Sequence, residues 1–132
     1  MPVELLRAPA LTDDVPYAYA ARVGPLVFTA GACPLDEDGD VVCRGDVAGQ
    51  ARRVMANLVE ALGSTGCTLA DVAKSTVYVA SADRADLVAA WQVVREAFGD
   101  HDAPSTLLGV AALGYDGQLV EVEAVAALPG AP

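Results

Sequence analysis

Two segments of helical period set the frame for this chain. Residues 47–62 place Val47, Ala51, Val54, Met55, Leu58 and Leu62 on one stripe, with Gln50, Arg53, Asn57 and Glu60 off it. Residues 83–98 repeat the arrangement with Leu87, Val88, Trp91, Val94 and Phe98. Both carry start and stop signals. Asp46 and Asp83 offer side-chain oxygens to the first free backbone amides, Asp86 places a negative charge in the second helix's first turn, and Gly63 to Gly66 and Gly99 supply the ends. Two helices with one apolar face each must cover something, and the apolar segments around them read as the sheet to be covered.

Those segments have strand character. "YAARVG" and "LVFTAG" flank a turn at Gly24-Pro25, "AKSTVYVAS" follows the first helix, and "STLLGVAAL" and "QLVEVEAVAAL" flank the turn "GYDG" at 114–117. The expected order is β-β-α-β-α-β-β, with an opening strand at "VELLR" and both helices on one face of a mixed sheet, an α+β fold. The 132 residues show no repeat or composition shift and fit a single domain, 1–132, large enough to bury about two thirds of its surface. With 54% apolar but only 5% aromatic residues, its core must be built from Val, Leu and Ala. Residues 72–80 and 119–127 read as apolar on both strand faces, so the side without helices is expected to be covered by further copies of the chain.

Charge narrows the function classes. Eighteen acidic against eight basic residues give a net charge of −10, which repels polyphosphates, so no nucleic-acid partner is expected. The first residues lack a basic stretch followed by a long apolar run, and no run of about 18 apolar residues occurs, so neither a leader nor a membrane span is expected and the protein reads as cytoplasmic. Cys33, Cys43 and Cys67 have neither CxxC nor His-paired spacing. Free thiols are therefore expected, with no disulfide framework and no metal site.

The segments "VPYAYAARVGPLVFTAGACPLDEDGDVV", "GDVAGQARRVMANLVEALGSTGCTLADVAKSTVYVAS" and "STLLGVAALGYDGQLVEVEAVAAL" together resemble the reactive intermediate deaminase family, also called Rid or YjgF-like proteins. The markers are Pro16-Tyr17 before the hairpin, Gly31 closing "LVFTAG", Pro34-Leu35-Asp36, Asn57-Leu58 and the terminal "LVEVEAVA". The resemblance covers nearly the whole chain. It implies a chorismate-mutase-like fold assembled as a homotrimer, with a small-molecule cleft at each subunit interface. It further implies hydrolysis of enamines or imines such as 2-aminoacrylate to 2-keto acids and ammonia, with no metal or organic cofactor.

The same resemblance makes one departure conspicuous. A 2-imino acid needs a guanidinium for its carboxylate and an acid or base to steer water onto the imine carbon. Family deaminases carry that arginine at the start of the strand that here begins "STLLGV", where alignment places Ser105 or, one residue earlier, Pro104. The cleft carboxylate is matched by Glu121. Glu123, on the same strand face, either shares the cleft or faces another neighbour, and either residue can instead pair with an arginine of the next subunit. Tyr17 matches the family's rim tyrosine, as a ligand contact or as interface packing. Tyr19 and Ala32 stand where relatives often carry Gln, which implies a more apolar or aromatic ligand. Cys33, beside the Gly31 strand end, is a thiol at the cleft or a buried inert one; His101 is a stand-in for the lost cation or a solvated loop residue; Trp91 packs in the core or stacks on ligand.

Three functions fit these residues. The first is a Rid-type enzyme in which Glu121 positions water for an imine or enamine other than 2-aminoacrylate. The second is a non-catalytic trimer that binds a small metabolite as sensor or carrier. The third, an RNA-cleaving activity attached to some relatives, is disfavoured by the acidic charge.

Overall fold

A computed structural model describes residues 2–130. Strands β1 (Glu4–Leu6), β2 (Ala20–Val23), β3 (Leu26–Thr29), β4 (Val72–Val79), β5 (Ser105–Gly109) and β6 (Val120–Ala127) form one sheet in the order β1-β2-β3-β6-β4-β5. Only β4 and β5 run parallel, as a crossover through a helix requires; the remaining pairs are antiparallel. Helices α1 (Val47–Gly63) and α2 (Arg84–Phe98) pack on one face, as the periodicity predicts. The opening strand at residues 4–6 is present and leaves Leu5 exposed on the sheet's edge.

The helix ends lie where the sequence places them. Asp46 accepts the Gly49 amide at 2.9 Å, Asp83 accepts that of Ala85 at 3.0 Å, and Gly99 leaves α2 with φ of +65°, a conformation open to glycine at little cost. Between helices and sheet, Val54, Leu58 and Leu62 of α1 meet Val27, Val77, Val79, Val94, Val120 and Val122 in a core with no solvent access. Each such side chain contributes roughly 1.5–3 kcal/mol by its burial. Trp91 is partly buried against this cluster, whereas Val88, expected on the same stripe, is 46% exposed.

Two expectations need correction. Gln50 and Asn57, read as off the apolar stripe of α1, are buried. Gln50 donates to the Gly117 carbonyl at 2.9 Å and accepts the Leu119 amide at 2.7 Å, while Asn57 donates to the carbonyls of Cys33 at 2.8 Å and Leu35 at 2.9 Å. They tie the segment after β3 and the segment before β6 to the same helix. A carbonyl orphaned there would cost about 1–3 kcal/mol, which is why polar residues tolerate those interior positions.

The other correction concerns the face without helices. In β4, Ser75, Val77 and Val79 point into the core while Lys74, Thr76 and Tyr78 stand opposite; in β6, Val120, Val122, Ala124 and Ala126 alternate with Glu121, Glu123 and Val125. The strands are therefore apolar on one side only. The open face is mixed, with the half-exposed Leu26 and Phe28 beside this polar group. No helix among the described residues is long and apolar enough to cross a membrane.

Candidate functional site

Beyond β3 the chain bends across β6, and Ala32 exchanges backbone hydrogen bonds with Val122 at 2.7 and 3.2 Å. This crossing presses Gly31 against the Glu121 side chain: a methyl group added to Gly31 would overlap the carboxylate and lie 2.7 Å from Cγ. Only a residue without Cβ admits the carboxylate there. Two donors then orient it. Cys33 Sγ donates to Oε1 at 3.4 Å, and Gln118 Nε2 donates to the same oxygen at 3.2 Å while also reaching the Val120 carbonyl at 3.1 Å. No donor among the described residues reaches Oε2.

The carboxylate lies in an open pocket of about 570 Å³ whose other walls are Pro16, Tyr17, Ala30, Gly31, Cys33, Gly114 and Tyr115. Tyr17 and Tyr115 share a hydrogen bond between their hydroxyls at 3.0 Å, joining the segment before β2 to the turn before β6. Tyr17 in turn meets Tyr19 edge to face, with ring centroids 6.1 Å apart. Burial, then the Tyr115 hydrogen bond, raises the Tyr17 phenol well above its ordinary value, so it remains a neutral donor or acceptor. Burial likewise raises Tyr19, whose hydroxyl donates to the Thr12 carbonyl.

Cys33 is pushed up to about 12, first by burial and then by the Glu121 charge and hydrogen bond. It is a protonated thiol at neutral pH, a donor to Glu121 and not a nucleophile. Tyr19 and Ala32 line a second, water-sized cavity behind Tyr17, together with Arg53 and Asn57. They do not line the pocket that holds Glu121.

The remaining candidates lie elsewhere in the chain. Ser105 is paired in register with Ser75, on the helix side of the sheet, and its hydroxyl bonds Ser75 and the Ala103 carbonyl. Glu121 is paired with Tyr78, three rows further along and two strands away, so one chain does not bring Ser105 or the neighbouring Pro104 to it. His101 Nε2 lies 2.7 Å from the Val72 carbonyl and its ring rests against Phe98, which makes it a tether between loop and sheet. Glu123 accepts the Tyr78 hydroxyl in a separate depression beside Phe28, Lys74 and Thr76, and that bond is the first cause of a Tyr78 phenol pushed up to about 12.

Sequence reasoning missed Tyr115 and Gln118, both in the turn before β6. Turn residues carry no periodicity; the one available signal was the nearness of "YDGQ" to the strand that bears Glu121. Among the described residues, the acidic or thiol groups close enough to share a metal are Asp36, Asp38 and Asp40, on an exposed turn where Asp36 Oδ1 already accepts the amides of Asp38 and Asp40 at 3.0 Å.

The sequence pattern of the endoribonuclease L-PSP family matches residues 8–128. The chain belongs to this family, also called Rid or YjgF-like. It is 35% identical over 111 residues to a RutC family protein of Pyrococcus abyssi, a match spanning 84% of this chain and 85% of that one. To the 3-aminoacrylate deaminase RutC of Acinetobacter baylyi it is 33% identical over 111 residues, 84% of this chain and 86% of the relative. Among solved structures, Escherichia coli TdcF with bound serine superposes with a TM-score of 0.81 at 26% identity, covering 94% of this Rid chain and 98% of TdcF. Deaminases are thus among the relatives of this Rid protein.

Proposed function

We propose that this Rid protein is a cytoplasmic homotrimer that hydrolyses an imine or enamine lacking an essential carboxylate, with Glu121 as the base that delivers water and with no metal or organic cofactor. The observation that carries this reading is the Glu121 geometry: one carboxylate oxygen accepts from Cys33 and Gln118, the other has no donor among the described residues, and the residue lines the pocket. A base held this way takes a proton from water as the oxygen adds to the C=N carbon. The resulting carbinolamine takes the proton back on nitrogen and releases ammonia or an amine, leaving an aldehyde or ketone. Ser105 in place of an arginine removes the carboxylate anchor, which favours substrates without one.

In a homotrimer the mixed open face of the sheet is buried, and the 101–105 segment of one chain can border the Glu121 pocket of the next. Sedimentation is expected to give about three times the 13.5 kDa chain mass. A species of 13.5 kDa would remove the intersubunit cleft. The endoribonuclease in the family name is not carried over here, because a net charge of −10 offers RNA no electrostatic footprint.

The catalytic reading is tested with imines made in situ. A flavin-dependent amine oxidase acting on benzylamine supplies a carboxylate-free imine, an amino-acid oxidase acting on phenylalanine supplies its carboxylated counterpart, and 2-aminoacrylate serves as the family's reference. Carbonyl release from the first should exceed the buffer rate, with little acceleration of the other two. Faster turnover of 2-aminoacrylate would overturn the substrate assignment. No acceleration of any would favour the alternative reading, a binding trimer that acts as sensor or carrier.

A further inference from the structure

The Glu121 pocket contains one carboxylate and the rings of Tyr17 and Tyr115, and none of the chain's eight lysines and arginines lines it. The nearest elements keep their cations occupied. Arg44 is held 3.3 Å from Asp116 in the same turn as Tyr115, and Arg53, behind Tyr17, donates to the Leu35 carbonyl at 2.9 Å. The two phenol hydroxyls are joined to each other, and the Cys33 thiol is engaged with Glu121. An anion entering this pocket would meet a negative charge and two tyrosine side chains. A cation would meet a counter-ion and two aromatic side chains in a protein of net charge −10.

We propose that the pocket selects small organic cations, so that the Rid protein binds its substrate as the protonated iminium or ammonium form, with Glu121 Oε2 as counter-ion and Tyr17 and Tyr115 flanking the charge. This rests on the hydrolytic reading above and names its substrate class: imines basic enough to be protonated near neutral pH, derived from amines and not from amino acids. Protonation also makes the C=N carbon more electrophilic. Water adds to that carbon as Glu121 takes one of its protons, giving a neutral carbinolamine. Protonated Glu121 then returns the proton to nitrogen, the C–N bond breaks with its electron pair leaving on nitrogen, the hydroxyl proton passes to the carboxylate, and from there to the departing ammonia, which restores the Glu121 carboxylate. The sum is R₂C=NH₂⁺ plus H₂O giving R₂C=O plus NH₄⁺, balanced in atoms and charge.

The test uses stable probes of one shape and different charge: benzylammonium, benzyl alcohol and benzoate, titrated calorimetrically into the intact protein at low salt. Benzylammonium should bind at least about tenfold more tightly than benzoate, about 1.4 kcal/mol, with the alcohol between them. In Glu121→Gln the preference should shrink to within about threefold, and added salt should weaken benzylammonium binding selectively. Glu60→Gln, which removes an exposed carboxylate of α1 outside the pocket, should retain the preference, and a melting temperature of Glu121→Gln close to the parent's guards against a folding defect in that variant. Equal or tighter binding of benzoate, an undiminished preference in Glu121→Gln, or no binding of any probe would overturn the proposal. Because the probes are not turned over, a cation preference without hydrolysis in the imine assay sinks only the catalytic reading. Hydrolysis without a cation preference sinks only this one.

Discussion

Glu121→Gln is expected to lower kcat/KM for the carboxylate-free imine by about 100- to 10,000-fold, the range a positioned general base contributes. The substitution keeps the side chain's shape, and its carbonyl oxygen can still accept from Gln118 and Cys33, so the melting temperature should move by no more than a few degrees. What disappears is the proton acceptor at Oε2. A second readout separates this from structural damage. After burial, the Glu121 charge is the largest cause of the high Cys33 value, so removing it lowers the thiol from about 12 toward, though not to, its ordinary 9.0. Alkylation of Cys33 above pH 9 should therefore become faster in the variant while Cys43, which is exposed, is unaffected. A variant that keeps more than half of its activity would remove Glu121 from the chemistry.

The fold was open to sequence reading because its signals are local. Asp46, Asp83 and Gly99 mark helix ends by the backbone groups they satisfy or the φ they permit, and the Val54-Leu58-Leu62 spacing identifies the face of α1 that meets the sheet. The site was open only in part because its signals are distant. Glu121 and Tyr17 came from resemblance to a family, and Gly31 from the same source, but nothing in the chain's local pattern says that the Gly31 backbone crosses β6 at Glu121, 90 positions later. Tyr115 and Gln118 had no pattern to betray them. Gln50 and Asn57 are a further case: both stand off the apolar stripe of α1, yet both are buried because two loops bring carbonyls and an amide to them. Ser105 and His101 were grouped with the cleft by position relative to the family arginine. In the chain, β4 lies between the strand of Ser105 and β6, and His101 is tied to the start of β4, so any approach to Glu121 belongs to the assembly and not to the single fold.

That same crossing makes Gly31→Ala the sharpest test of how backbone and chemistry are joined. Gly31 does not need its freedom of φ here; it needs the absence of a side chain, because a methyl group would occupy the space of the Glu121 carboxylate. The clashing atoms are the far end of a flexible side chain and not backbone, so the carboxylate should swing aside while the Ala32–Val122 crossing and the core persist. The variant is expected to fold with a melting temperature close to that of the parent protein and to lose about as much kcat/KM as Glu121→Gln, since the displaced base no longer faces the pocket. Cys33 and Gln118 would lose their shared acceptor at Oε1, so the Cys33 thiol should also become easier to ionise. Combining the two substitutions should cost little more than either alone, because both remove the same oriented base. Additive losses in the double variant would mean that Gly31 acts on the ligand independently of Glu121. A fully active Gly31→Ala protein would show that the working carboxylate does not sit where the crossing holds it.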